Sequence, residues 1–258
     1  MKNRKFSILN YTKTTFWNFI EHVVPTKQVL LSTIYDTVFW LLFFATTYVL
    51  GIIINKETAM LKNINFNQQA VLAQGIAQAN ITLLKTFAAK IAFYALIYLL
   101  IIALFYTLMK GIIWLTLLNK KPTKQYFKQF YKLNLLWGII WLAIFIFVLI
   151  GVQTEYRNYL AIIAFAFYLH MTTIAQTTFT VKNTIKEAFN AVIMTGIGKI
   201  HYFILPYSFS AVIYWLLTRI LQFIPTQTTA IIVAAMLIAL FYLAWLRNYV
   251  KDVILEIE

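Results

Sequence analysis

No cysteine occurs in the 258-residue chain. Disulfides, thiolate nucleophiles, cysteine-ligated zinc and iron–sulfur clusters are therefore excluded, although the absence says nothing about the redox compartment. Histidine is nearly as scarce: His22, His170 and His201 lie far apart, with only eight acidic residues in the whole chain. A histidine-rich metal or haem centre would have too few donors. There is no nucleophile elbow, no phosphate-binding glycine loop and no HExxH pair. Seven glycines, none in a GxxxG pair, argue against helices packed backbone to backbone. No catalytic constellation is visible, and neither an enzyme nor a cofactor is implied.

What the chain has in excess is apolar surface. Hydrophobic residues make up 62% and charged residues 12%, where a soluble domain averages about 45–50% and about 25%. Lipid is the simplest environment for that excess. At about 20 residues per crossing, six stretches qualify: Val29 to Ile54, Phe87 to Leu118, Leu133 to Val152, Tyr159 to Thr178, Ile200 to Ile224 and Thr228 to Leu246. The runs are continuously apolar, as helices require; barrel strands would alternate in segments of about ten residues. The longest polar interruption, Asn55 to Lys85, is too short to build a core of its own. The chain reads as one membrane domain: a basic N-terminal segment over 1–28, six spans over 29–246, and a C-terminal tail over 247–258. The polar start followed by a long apolar run reads as a retained signal-anchor.

The net charge is +14, and its distribution sets the expected topology. Lys2, Arg4, Lys5, Lys13 and Lys27 precede the first span against Glu21. Lys120, Lys121, Lys124, Lys128 and Lys132 lie between the second and third, with no acid. Lys182, Lys186 and Lys199 lie between the fourth and fifth against Glu187, and Arg247 and Lys251 follow the sixth. The opposite connections are poor in charge except for the first, with Lys56, Lys62 and Lys85. The positive-inside rule places both termini in the cytoplasm. Because the charge lies between spans, it points to anionic headgroups and not to nucleic acid. The richness in Lys, Asn, Ile, Phe and Tyr is that of an AT-rich genome, and a prokaryotic cell membrane is expected.

The inner connections have a pattern of their own. From Lys120 to Leu133 the lysines 120, 124, 128 and 132 oppose Tyr126, Phe127, Phe130 and Leu133, which predicts a basic amphipathic helix in the headgroup layer. A second such helix starts at Thr184, where Thr184 and Glu187 have capping-box spacing and Gly196 is the expected stop. The segment before Pro25, with Phe16, Trp17, Phe19 and Ile20, is the third. The expected fold class is therefore all-α: a polytopic integral membrane protein, a six-helix transmembrane bundle with cytoplasmic amphipathic interfacial helices, readable as three repeated hairpin units. Pro25-Thr26-Lys27-Gln28 recurs as Pro122-Thr123-Lys124-Gln125, in each case just before an outward-going span. In the first outer connection, the proline-free stretch from Asn67 to Leu84 predicts that the second helix begins outside the membrane. That stretch also carries a glycosylation triplet, Asn80-Ile81-Thr82.

Asp36 stands about eight residues into the first span, roughly 12 Å deep. Buried charges at such depths face a bundle interior or a cavity. His170, entering from the other side, reaches a similar depth, so an Asp36–His170 pair is geometrically possible. His170, Thr173, Thr177 and Thr180 form one stripe with Gln176 beside it, and Tyr207, Ser208 and Ser210 follow Pro206 in the fifth span. Together they could line a polar pocket. Two readings stay open: helix-to-helix glue, in which Ser and Thr bond to their own backbone, or a substrate or proton site. Lys90 and Lys110 are expected to snorkel to opposite interfaces. A second span confined to 97–117 would instead bury Lys110 and make it the partner of Asp36.

Two functions follow. The first is a non-enzymatic membrane protein with an organisational or assembly role, binding anionic lipid through Lys120, Lys121, Lys124, Lys128 and Lys132, with other membrane subunits as further partners. The alternative is a small solute or ion transporter or channel built on Asp36 and His170.

Overall fold

The computed structural model describes residues 8–24, 26–61, 74–222 and 229–257. Lys2, Arg4, Lys5, Pro25, the stretch 62–73 with Lys62, and the loop before the sixth span lie outside the described residues, as does the side chain of Lys13.

The protein is an all-α, multi-span membrane protein. Its helices are α1 (Ile8–Val23), α2 (Lys27–Leu61), α3 (Gln74–Leu117), α4 (Lys124–Gly151), α5 (Thr154–Lys182), α6 (Ile185–Ala191), α7 (Ile204–Gln222) and α8 (Thr229–Ile257). A π-helical turn, Val192–Ile197, and a 3₁₀ turn, Ile200–Phe203, join α6 to α7. Six of these helices, α2, α3, α4, α5, α7 and α8, are long and apolar enough to cross a membrane. Large apolar side chains such as Leu41, Ile139, Phe147 and Ile162 are exposed along them. That is what lipid-facing surface looks like when a helix needs only a narrow stripe to bind its neighbours.

The helix ends are set by local chemistry. The repeated Pro-Thr-Lys-Gln sequence is a helix start used twice. Thr26 Oγ1 accepts from the Val29 amide at 3.4 Å and Thr123 Oγ1 from the Tyr126 amide at 3.1 Å. Each threonine thereby satisfies one of the amides a helix leaves open at its N-terminus. At the opposite ends, Asn119 after α3 and Asn183 after α5 turn the chain with φ of 52° and 56°. Asparagine is one of the few non-glycine residues that adopt this left-handed geometry at a helix end. α3 begins at Gln74, well ahead of the apolar run from Phe87.

The chain forms two compact units, Val38–Tyr106 and the remainder, residues 1–37 with 107–258. Within 38–106, Glu57 is nearly buried and receives Lys90 Nζ at 2.9 Å and the Tyr94 hydroxyl at 3.4 Å. Tyr98 meets Thr47 Oγ1 at 2.8 Å. Since that threonine donates its own proton to the Phe43 carbonyl, Tyr98 is the donor. Phe39, Trp40, Phe43 and Phe44 form an edge-to-face aromatic run.

Among the described residues, the larger unit holds three apolar clusters. One gathers Val29, Ile174, Phe203, Trp245, Tyr249 and Ile254. A second gathers Trp114, Tyr126, Phe130, Leu133 and Phe179. The third centres on Trp137, Trp141 and Met171.

Four expectations change here. Residues 124–133 are not a separate interfacial helix but the first turns of α4. Their apolar side, Tyr126, Phe130 and Leu133, is buried against α3, α5 and α6. The amphipathic pattern is real, but its apolar face is claimed by protein. The sixth helix does not end at Leu246; α8 continues through 247–257, and Tyr249, Val250, Val253 and Ile254 are core residues. Gly196 does not end a helix: it sits inside the π turn, where a Cβ would come within 2.6 Å of Met171 Sδ. Thr184 makes no side-chain cap on α6, so the capping-box spacing there goes unused.

Candidate functional site

The polar groups of the larger unit gather near one end of its helices, and they form distinct clusters in place of one pocket. Asp36 is 2% exposed. It sits on the α2 stripe Val29, Ser32, Asp36, the inward face of a helix whose other sides are apolar and outward. One carboxylate oxygen accepts from Lys110 Nζ of α3 at 2.5 Å, and the other from Arg247 Nη2 of α8 at 2.8 Å. Three membrane-spanning helices thus meet on one carboxylate. Lys110 does not snorkel to an interface; Asp36 holds it inside. The triad carries one negative and two positive charges, and both Arg247 Nη1 and the Ser32 hydroxyl are buried without a hydrogen-bond partner.

His170 has different partners. Its Nε2 lies 3.1 Å from the Gly196 carbonyl, and its Nδ1 lies 2.8 Å from the Tyr207 hydroxyl. A carbonyl can only accept, so Nε2 carries a proton; neither partner of the ring is an acid that would support a second one, and in the neutral ring Nδ1 accepts from Tyr207. The ring also stands edge-on to Phe203, centroids 4.6 Å apart. The His170 contacts join α5, the π turn and the start of α7. Pro206 lies in the first turn of α7, where a missing amide leaves no helical bond unmade.

Of the other residues expected in the pocket, Thr173 and Thr177 donate back to Leu169 and Thr173 carbonyls, and Ser208 and Ser210 to Ile204 and Pro206 carbonyls. These hydroxyls serve their own helices. Thr180 donates to the Gln176 carbonyl and accepts from the Tyr126 hydroxyl at 2.9 Å. Gln176 belongs to a third cluster. Its Oε1 accepts from Trp114 Nε1 at 2.7 Å, its Nε2 donates to Asn134 Oδ1 at 3.0 Å, and Asn134 reaches Thr107 Oγ1 at 3.2 Å. Neutral groups here bind α3, α4 and α5. Asp36 and His170, the two residues that reading by depth pairs, thus stand in separate networks.

The lysines divide into two sets. Lys120 Nζ is 2.7 and 2.6 Å from the Thr180 and Val181 carbonyls, Lys199 Nζ is 2.5 Å from the Ile257 carbonyl, and Lys251 Nζ is 3.4 Å from the Leu117 carbonyl. These are the C-terminal ends of α5, α8 and α3. All three helices finish on the same side with unsatisfied carbonyls and the negative pole of the dipole. Lys251 is buried and Lys199 half-buried, while Lys120 makes its bonds from an exposed position. Lys121, Lys124, Lys128 and Lys132 are exposed.

α1 is tied to α8 by a further ion pair. His22 Nε2 is 2.7 Å from Asp252 Oδ2, and Nδ1 is 2.6 Å from the Asn18 carbonyl. Both acceptors require protons on the ring, so His22 is an imidazolium. Burial disfavours that charge, but the Asp252 bond, the Asn18 carbonyl and the Asp252 charge together raise its pKa above the ordinary 6.5.

Among the described residues no group of three His, Asp or Glu side chains could hold a metal ion. No family model, curated protein or solved structure matches the chain.

The residue sequence reading missed is Arg247. It looks like a flanking charge after Leu246. Its signal is the spacing Leu240, Ala244, Arg247, Lys251, Ile254, a helical stripe that carries two cations on a side otherwise apolar.

Proposed function

We propose that this multi-span membrane protein acts without catalysis, as an organising or assembly component whose basic end faces the cytoplasm and binds anionic lipid. The observation that carries the reading is the division of labour among its charges. Asp36 and His170, the groups best placed for transport chemistry, are saturated by partners in two separate networks. Lys121, Lys124, Lys128 and Lys132 instead stand exposed at the start of a membrane-spanning helix, with no acid in the connection before it. Each lysine near an anionic leaflet contributes about 1 kcal/mol of attraction, lost within a Debye length as salt rises. Both termini then lie on the cytoplasmic side, and the exposed apolar faces are open to other membrane subunits.

The test is lipid selectivity around the full chain in mixed phosphatidylcholine and phosphatidylglycerol vesicles, read with spin-labelled lipids. Enrichment of phosphatidylglycerol that fades with salt and with K121Q/K124Q/K128Q/K132Q is expected; equal enrichment of both lipids rejects the reading. The absence of native cysteine makes the orientation directly testable. A single cysteine at Lys121→Cys should react with an impermeant maleimide only after cells are opened. The transport alternative predicts ion- or proton-coupled flux abolished by Asp36→Asn in folded protein, and it fails if the wild type carries no flux.

A further inference from the structure

After only two residues, Val152 and Gln153, α5 folds back along α4. A wholly apolar groove of about 410 Å³ runs between these two helices. It is lined from Trp137 to Val148 on α4 and from Leu160 to Met171 on α5. At 1.5 Å per residue each wall is roughly 16 Å long, about half of the roughly 30 Å hydrocarbon thickness and so the depth of one leaflet. Its floor, Trp137, Trp141, Val148 and Met171, is buried, while Ile140, Ile163 and Phe167 on its rim are 42–52% exposed. A groove that opens sideways between membrane-spanning helices meets lipid. Its volume spread over that length leaves a cross-section of roughly 25 Å². A helix, about 10–12 Å across, fills roughly 80–110 Å². The groove is too narrow for a partner helix and wide enough for one hydrocarbon chain.

Its two ends differ. At one, the π turn brings in Val192 and Ile197, with Gly196 against Met171. At the other stands Arg157. It heads the helical stripe Arg157, Leu160, Ala164, Phe167, Met171, one turn beyond the last groove residue of α5. Its Nη2 donates across the connection to the Val152 carbonyl at 3.3 Å, four residues past Val148 of the opposite wall. The guanidinium is thus tied to the end of both walls, and its Nε is buried without a hydrogen-bond partner. Gln153 gives the first turn of α5 no side-chain cap, so the amides there are open to an anion as well. Glu155 is exposed and, two residues away, lies on another side of the helix.

We propose that this groove binds one phospholipid, with an acyl chain lying in it, methyl end at the π turn, and the phosphate at Arg157. The second chain stays in the bilayer. Length, width and sign all fit: a leaflet-deep apolar channel for the chain, and a cation at the level where the headgroup of a lipid so seated lies. The site goes beyond the anionic-lipid reading and does not rest on it. Arg157 stands at the opposite end of α4 from Lys124. Every phospholipid carries the phosphate, so choline and glycerol headgroups serve alike.

The experiment uses the full chain, delipidated in detergent and then given phosphatidylcholine with brominated acyl chains. Bound lipid is counted by native mass spectrometry. Quenching of Trp141 is read as the difference between wild type and Trp141→Phe, a change that breaks no hydrogen bond because Trp141 Nε1 has no partner. Retention of one lipid with that quenching is expected, for phosphatidylcholine and phosphatidylglycerol alike. Ala164→Leu should reduce the quenching and Ala164→Phe, which fills the groove, should abolish it. Arg157→Gln should weaken retention at least about tenfold, the scale of one charge-assisted hydrogen bond. Brominated diacylglycerol, which lacks the phosphate, should be held as weakly by the wild type; this arm needs no mutation, so a folding defect cannot imitate it. Quenching that survives both Ala164 variants, or equal retention of diacylglycerol and phosphatidylcholine, overturns the proposal. So does stronger retention of brominated oleic acid, which would assign the groove to a free fatty acid. Loss of the site in K121Q/K124Q/K128Q/K132Q would put the lipid at the other end of α4 and overturn it too. A chain that holds phosphatidylcholine in the groove but enriches no anionic lipid around it fails the general reading alone.

Discussion

Around Asp36 three helices are held together by formal charge; around His170 a helix, a π turn and a helix start are held by neutral hydrogen bonds. Both clusters lie within apolar surroundings, and the difference is in what each leaves over. The Asp36 triad ends with a surplus positive charge and two orphaned polar atoms, Arg247 Nη1 and Ser32 Oγ. The His170 cluster gives each ring nitrogen a partner suited to one neutral tautomer. Removing any charge from a buried ion cluster therefore changes its balance, whereas removing a neutral partner only leaves a bond unmade. The two clusters should respond to mutation with different rules.

The largest effect is expected at Asp36. Asp36→Asn leaves Lys110 and Arg247 buried with no countercharge, and breaking a buried pair in this way costs about 3–5 kcal/mol. Lys110→Met should cost markedly less. It removes the surplus charge and leaves the Asp36–Arg247 pair at 2.8 Å balanced. Unfolding of the purified variants in mixed detergent micelles measures both. Equal losses would show that the triad acts through shape and not through charge balance.

At His170 the order is the same, and the cause is unmade hydrogen bonds and not charge. His170→Ala strands the Tyr207 hydroxyl and the Gly196 carbonyl, each at about 1–3 kcal/mol, and Tyr207→Phe should cost less because it strands one group, His170 Nδ1, in place of two. The same unfolding assay checks the ranking. If Tyr207→Phe proves as damaging as Asp36→Asn, the neutral description of this cluster is wrong.

The contrast also marks where the sequence was legible. Long apolar runs identified six crossings because bilayer thickness alone demands them. Asp36 stood out because an acid inside such a run has few alternatives to an inward face. Its partner did not. Depth matching offered His170 and a conditional Lys110, but depth is one coordinate and contact needs three. Arg247 was hidden by the convention that a cation after an apolar run is a flank. Lys120 was hidden by another, since positive-inside counting cannot tell a lysine that meets lipid from one that caps a helix. With α3, α5 and α8 all ending on one side, their open carbonyls recruit lysines for reasons unrelated to topology. The amphipathic stretch 120–133 misled in the same way: periodicity shows that one face is buried, but not whether lipid or protein covers it.

The third histidine sharpens the comparison, because His22 is held as an ion outside the spans. Its ring donates to Asp252 and to the Asn18 carbonyl, with Lys251 Nζ 3.0 Å from the other Asp252 oxygen and Tyr249 packed beside the ring. From the same stretch of α1, Asn18 reaches Glu256 Oε1 at 2.5 Å and the His22 carbonyl accepts from Trp245 Nε1 at 2.6 Å. Since folding raises the His22 pKa above 6.5, its contribution is complete below that value and is lost as pH rises through the folded one. Docking of α1 on α8 should therefore loosen on the alkaline side, by about 1 kcal/mol or slightly more, the scale of one charge-assisted hydrogen bond. Amide exchange of residues 15–22, corrected for intrinsic rate, measures it. His22→Gln, which keeps a donor but cannot ionise, should exchange at a pH-independent level. A wild type whose α1 protection is unchanged from pH 6 to pH 9 would mean that the Asn18 and Trp245 bonds hold the helix without the ion pair.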